Sequence, residues 1–241
     1  FAINKYSHYS IFSKIKLFFD IEQFNYNSEY TYKKINPGLE LILNNKNLRS
    51  KKESSLNINY NFIFKDGISR ELDPGFEPGI HHIEENKKFI NLNYIFKNDR
   101  TINPYGYNFN IENAKDFVKY NLEFNYTYQI NKNKKLNTRI YTGISKTNAG
   151  HDKYSLQMSA WNGSMDYSFS EKTFSRENLG NLSRQIFIRE GGLKHRTDIV
   201  SDNLLMSLST NYNIYKFLNI YSEFGYANKN DLTASKIAFG S

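Results

Sequence analysis

The sequence predicts an all-β fold, an antiparallel transmembrane β-barrel, and three observations carry that expectation. The first is pattern. Val118, Tyr120, Leu122, Phe124, Tyr126, Tyr128 and Ile130 are apolar or aromatic, while Lys119, Asn121, Glu123, Asn125, Thr127 and Gln129 between them are polar. Strand side chains point to opposite faces with period two, so one face of this segment is oily and the other wet. The second is length. Strands of soluble proteins run about 5–6 residues. This one, at about 3.3 Å per residue, extends about 43 Å. Tilted by about 40°, it covers about 33 Å of height, close to a bilayer's hydrocarbon thickness of about 30 Å. The third is what the chain lacks. No stretch approaches the ~20 consecutive apolar residues of a spanning helix, and mean hydropathy is −0.67. Barrels escape hydropathy scans because half of each strand is polar.

The elements follow in order. The first strand is expected over Ile11–Ile21, with Ile15, Leu17, Phe19 and Ile21 on one face and Lys14, Lys16, Asp20 and Glu22 on the other. Pro37-Gly38 reads as a break before a short alternation at Leu39, Leu41 and Leu43. Ser54–Phe64 is a clear stave: Leu56, Ile58, Tyr60 and Phe62 face lipid, while Asn57, Asn59 and Asn61 face the lumen. Lys65–Lys87, containing Asp73-Pro74-Gly75 and Pro78-Gly79, reads as a long connection. Lys88–Lys97 follows, with Ile90, Leu92, Tyr94 and Phe96 outward. Tyr105, Tyr107, Phe109 and Ile111 then alternate and lead into Val118–Ile130. In that strand Val118, Tyr120, Leu122, Phe124, Tyr126 and Tyr128 are the expected lipid-facing set, and Lys119, Asn121, Glu123 and Asn125 the lumen-facing set. Leu136–Ser145 alternates less cleanly. Between Lys146 and Asp202 the signal weakens, with candidate strands at Tyr154–Ala160 and Leu182–Arg189. Alternation returns at Leu204–Ile214, at Leu218–Tyr226 and from Ser235. All four prolines, Pro37, Pro74, Pro78 and Pro104, are expected outside strand cores, because proline cannot donate to a ladder. About ten strands are expected here and twelve in the complete barrel, with the 241 residues forming one domain that lacks closing C-terminal strands and an upstream soluble domain.

Composition narrows the function classes. The chain holds 19 Tyr and 19 Phe against one Trp, and Tyr suits a membrane interface because its ring is apolar and its hydroxyl reaches water. AT-rich coding enriches the same residues, so the ordering into alternation carries more weight than the counts. The net charge of +8 comes from Lys and Arg spread over turns and polar faces. That distribution argues against nucleic acid as a partner and for membrane lipid, with lipopolysaccharide as a further candidate. With no cysteine, disulfide and thiolate chemistry is excluded.

His81, His82, Glu84 and Glu85 form the best metal candidate, but their spacing lacks the i, i+4 histidine pair of a helical zinc site. Neighbouring Pro and Gly favour a solvated loop. His8, His151 and His195 are isolated. Gly191-Gly192, after Arg189-Glu190, fits a turn requiring positive φ better than a phosphate loop, since no Gly-Lys-Ser/Thr follows. Asp20 and Glu22 suit lumen salt bridges. The Asn-x-Ser/Thr sites at Asn125, Asn162 and Asn181 carry meaning only in a eukaryotic secretory context. No catalytic residue, cofactor or metal is expected in this chain.

Four stretches also bear a family resemblance. Asn181–Lys194, NLSRQIFIREGGLK, resembles a Gln-Ile-(Phe)-x-(Arg/Lys)-Glu/Asp-Gly-Gly-Phe segment, with Leu193 in place of the usual Phe. That segment belongs to the C-terminal barrel region of large zinc aminopeptidase-like (gluzincin) proteins of Bacteroidetes. Met165–Arg176, Asn103–Asn125 and Phe217–Gly225 are similar to the same region, so the resemblance covers about Tyr105–Ser241. It implies a non-catalytic barrel in the bacterial outer membrane, anchoring a covalently attached peptidase domain. The His-Glu-x-x-His helix of that family has no counterpart in this sequence. Two other functions remain open on the residues: a porin-like or transporter barrel passing a solute, and a soluble surface β-protein binding glycan or protein.

Overall fold

A computed structural model of the chain describes residues 2–4, 11–25, 30–43, 51–71, 79–131, 134–147, 154–159, 161–162, 167–168, 186–187, 190–193, 197, 199–215, 218–229 and 232–240. The fold is all-β and antiparallel. Its strands are β1 (Ala2–Asn4), β2 (Phe12–Asn25), β3 (Tyr30–Leu43), β4 (Lys52–Glu71), β5 (Gly79–Asn98), β6 (Tyr105–Ala114), β7 (Phe117–Asn131) and β8 (Lys134–Thr147). There follow the two-residue pieces β9 (Leu156–Gln157), β10 (Trp161–Asn162), β11 (Ile186–Phe187) and β12 (Val200–Ser201). The chain then returns to long strands, β13 (Leu204–Tyr215), β14 (Leu218–Lys229) and β15 (Leu232–Gly240).

One sheet holds eleven strands in the order β1 to β8, then β13, β14 and β15. It is a meander: each strand pairs antiparallel with the next, and β8 takes β13 as its neighbour after the short pieces have been passed over. The edges β1 and β15 do not pair with each other, so the sheet is not closed into a barrel.

The register sorts the two faces. One row of aligned residues crosses the sheet from β2 to β13 as Leu17, Leu39, Ile58, Leu92, Ile111, Tyr120, Ile144 and Leu204. The row one residue along runs Lys16, Glu40, Asn57, Asn93, Asn110, Asn121, Gly143 and Leu205. Because a one-residue step flips every side chain to the other face, these rows lie on opposite sides. Leu56, Ile58, Tyr60, Phe62, Ile90, Leu92, Tyr94, Val118, Tyr120, Leu122, Phe124, Tyr126 and Tyr128 share the apolar side. Asn57, Asn59, Asn61, Lys119, Asn121, Glu123 and Asn125 share the polar one. The apolar side is open to its surroundings, with Leu122 46% exposed, whereas the polar side holds the buried groups, Lys119 among them.

Several sequence expectations need correction. Pro37-Gly38 does not break the chain but lies inside β3. Pro37 is aligned with Phe19 of β2, while on the β4 side the pairing steps from Ile35–Phe62 to Gly38–Asn59. A proline lacks the N–H that a ladder uses on one side, and the strand tolerates one such gap. The Phe18 ring lies against the Gly38 α-carbon in the space a Cβ would need, which shields that stretch of backbone.

The Lys65–Lys87 connection is likewise mostly strand. β4 and β5 are 20 residues each and pair from Lys52–Asn98 to Glu71–Gly79. Period-two patterning fades there, but the two arms satisfy each other's backbone groups, which is what holds a two-stranded ribbon. β6 pairs only with Phe89–Asn98 of β5, so the ribbon runs on past β6. Of Tyr154–Ala160, the described residues 154–159 hold only the two-residue β9; of Leu182–Arg189, residues 186–187 form β11 and the rest lies outside the described residues.

Candidate functional site: the polar face and the segment seated on it

Between β8 and β13, β10 and β11 pair with each other, and described residues of 154–159, 167 and 190–193 pack on the polar face. They are knitted to one another first: the Met158 N–H donates to the Ile199 carbonyl (3.0 Å), Gly191 N–H to Gln157 (3.0 Å) and Leu193 N–H to Met158 (3.2 Å). β9 pairs with β12, and Ser159 Oγ both donates to the Thr197 carbonyl (2.9 Å) and accepts from the Thr197 N–H (2.8 Å).

Two apolar clusters seat this segment. In the first, Leu156, Met158 and Leu193 meet Tyr141, Leu205 and Ala227 of the sheet. Small residues on the sheet make the room. A Cβ on Gly143 would come 2.9 Å from Leu156 Cδ1 and 2.7 Å from the Tyr141 hydroxyl, and one on Gly225 would strike Met158 Sδ. In the second, Tyr154 and Tyr167 meet Ile63, Phe89 and Phe117, with Phe117 stacked on Tyr154 at 4.6 Å and edge-on to Tyr167 at 5.2 Å.

Charged groups fasten the turn at Glu190. Lys119 Nζ lies 3.2 Å from Glu190 Oε1, and Glu190 Oε2 accepts from the Gln157 N–H. Arg139 donates to the carbonyls of Glu190 (2.6 Å) and Gly191 (2.8 Å) and to the Glu123 carboxylate (2.8 Å). Ser207 Oγ also donates to the Gly191 carbonyl, and the Tyr167 hydroxyl donates to Glu112. Lys119 sits 4.6 Å from the centroid of the Tyr167 ring, a cation–π contact. Buried charges are costly unless paired and hydrogen-bonded, and these are. Gly192 has φ +69°, in keeping with the turn expected at Gly191-Gly192, and Glu190 has φ +51°. The latter region is strained for a residue with a Cβ; the contacts on both Glu190 carboxylate oxygens and its carbonyl hold it there.

Beyond this turn, toward the ends of β7 and β13 at Asn131 and Tyr215, the polar face opens into two adjoining cavities of about 500 and 260 Å³. They share Asn125 and Thr127. Gly106 lines the larger, and Asn137, Ser209, Asn211 and Tyr221 the smaller.

Lys119 and Glu123 were expected on a hydrated lumen face; they do lie on the polar face, where each meets a specific partner. Arg139, Glu112 and Tyr167 were not singled out from sequence, and Glu190 was visible only as the residue before the Gly191-Gly192 turn. Arg139 had one available signal: it aligns with Asn125 across the β7–β8 pair, one step diagonally from Glu123. The backbone places His81, His82, Glu84 and Glu85 on strand β5, not in a loop, and their side chains lie outside the described residues. Among the described residues no group of three or more His, Cys, Asp or Glu could hold a metal ion. No helix among them is long and apolar enough to cross a membrane. No protein-family model matches the chain, and no curated protein matches it either.

Proposed function

We propose that this chain is the wall and inner plug of a bacterial outer-membrane β-barrel, and that it anchors an attached metallopeptidase-like module at that membrane. One observation carries the reading: an apolar row crosses the sheet from β2 to β13 on its open side, while the side chains withdrawn from solvent are, Asn98 apart, on the polar side. A soluble protein hides its apolar face, and contiguous exposed apolar patches beyond a few hundred Å² mark interaction or membrane surfaces. Lipid is the solvent in which this arrangement costs nothing.

Strand direction bears on closure. In a meander of eleven strands the first and last run the same way, so closing β1 on β15 would make a parallel pair. Bacterial single-chain barrels are antiparallel with even strand numbers. One further strand completes such a ring at twelve. The seated segment favours an anchor over an open pore, because it occupies the polar side that a solute path would use. The Glu190-Gly191-Gly192-Leu193 stretch that carries the family resemblance is the part that docks on the wall, which supports a barrel role for that motif.

The test is to express the chain with an outer-membrane export signal and wash the membranes in alkaline carbonate. Retention in the membrane, with electrically silent protein in planar bilayers, is the expected result. Recovery in the soluble fraction would overturn the proposal, and steady conductance steps from the unaltered chain would favour a solute-passing barrel instead.

A further inference from the structure

We infer that the two adjoining cavities form one binding site for a short neutral saccharide. This goes beyond the anchoring reading and does not require it, since the cavities lie on the polar face whatever covers the apolar one.

Three features point to that ligand class. The first is unspent hydrogen-bonding capacity. Asn108 Oδ1, Ser209 Oγ and Asn211 Oδ1 are buried and have no partner in the structure, and all three belong to residues lining these cavities. Buried polar atoms are normally paired. Acceptors of this kind, beside the Asn amide N–H groups, match the alternating donor and acceptor capacity of vicinal hydroxyls.

The second is charge. Arg139 is committed to Glu123 and to two carbonyls of the inner turn, so its guanidinium is not presented to an anion. At the larger cavity Lys97 is offset by Asp99. What remains is amide and hydroxyl, Asn125, Thr127, Asn137, Ser209 and Asn211, with the Glu223 carboxylate in the wall of the smaller cavity as a further acceptor for sugar hydroxyls. Tyr221 adds an aromatic side chain to the wall of the smaller cavity, the kind of surface on which the C–H face of a sugar ring packs.

The third is shape. The cavities together fall in the range of about 300–1,000 Å³ that small-ligand sites occupy. Arg139, which lines the smaller cavity, is fixed in place by the Gly191 carbonyl that it shares with Ser207. Because the cavities lie on the face opposite the apolar rows, a free saccharide fits and the head group of a surrounding lipid does not.

The experiment uses the full chain folded in detergent micelles and three probes, maltotriose, cellotriose and triacetylchitotriose, with citrate as an anionic and putrescine as a cationic control. Saturation-transfer NMR and calorimetry would read binding. At least one trisaccharide should bind one to one, and the controls should not. Asn211→Leu should weaken that binding by about tenfold, the worth of a lost hydrogen bond of about 1.4 kcal/mol, while Leu122→Ala on the other face leaves it unchanged. Should Asn211→Leu not fold, Ser209→Ala and Thr127→Val test the same wall. Absence of binding for all three sugars at about 10 mM, a Kd range too weak to be a built site, overturns the inference. Binding of citrate or putrescine in their place, or binding indifferent to every cavity variant, overturns it as well. If the chain proves soluble without detergent and binds a trisaccharide in plain buffer, the site stands and the membrane reading falls.

Discussion

Lys119 Nζ lies 3.2 Å from Glu190 Oε1 across 71 positions of sequence, and both side chains are almost wholly withdrawn from solvent. Lys119 belongs to the long stave β7; Glu190 belongs to the turn seated on the polar face. The pair ties the seated segment to the sheet where neither charge can be hydrated by bulk water.

Removing one partner should therefore be costly. Lys119→Met leaves the Glu190 carboxylate buried with one backbone N–H, and loss of one member of a buried pair costs about 3–5 kcal/mol. The double variant Lys119→Met/Glu190→Gln should recover a large part of that loss. Urea unfolding followed by the emission of Trp161, the one tryptophan of the chain, would measure both. Equal destabilisation by the single and double variants would show that the two charges do not act as a pair.

Arg139→Ala should loosen the same turn without harming the wall, because the guanidinium bonds two carbonyls of the inner turn and only one wall group. The expected phenotype is faster protease cleavage within the Lys146–Asp202 stretch and new conductance in planar bilayers. Arg139→Lys should fall between, since an ammonium cannot reproduce the planar fork. Unchanged cleavage and continued silence in Arg139→Ala would mean that the turn is held by other contacts.

The seat of Met158 predicts a size-swap rescue. Gly225→Ala puts a methyl group where Met158 Sδ already sits, and overpacking of this kind costs about 1–3 kcal/mol. Met158→Ala alone leaves a cavity and should cost about 2–5 kcal/mol. Combined, the two changes should be less damaging than their sum. Strict additivity in a double-mutant cycle would contradict the packing described.

The two faces should differ in their tolerance of charge. Leu122→Arg should weaken folding into lipid vesicles by about 2–4 kcal/mol if Leu122 sits near the bilayer midplane. Asn125→Arg, on the polar face of the same strand, should cost far less. Glu123 is a poor control for this comparison, because it accepts from Arg139. Similar costs at Leu122 and Asn125 would mean that the faces are not divided between lipid and water.

The long staves were legible because period two shows wherever one face is apolar throughout. Val118–Ile130 as read from sequence differs from β7 by one residue at each end. Pro37 and the Lys65–Lys87 stretch misled for a shared reason: a strand paired on both sides, or one arm of a ribbon, can absorb a missing N–H or a lost alternation that looks like punctuation in sequence. The opposite faces of Leu122 and Asn121 were readable, and Glu123 beside Arg139 follows from the strand register, but the Glu190 and Gly191 partners of Lys119 and Arg139 were not. Those partners arrive from a segment without periodicity, folded back over a long sequence separation. The Glu190-Gly191-Gly192 turn was visible as a motif; that it docks on the wall rests on tertiary contacts no local pattern encodes.

The apolar face turned to lipid is the central claim, and the absence of cysteine makes it directly measurable. Nitroxide labels placed singly at Leu122→Cys, Leu208→Cys, Asn108→Cys and Asn211→Cys, in protein folded into vesicles, would report collisions with oxygen, which concentrates in lipid, and with a water-soluble nickel chelate. Labels at 122 and 208 should favour oxygen strongly, and labels at 108 and 211 should favour the chelate or be shielded from both. Chelate access at 122 and 208 equal to that at 108 and 211 would contradict the account.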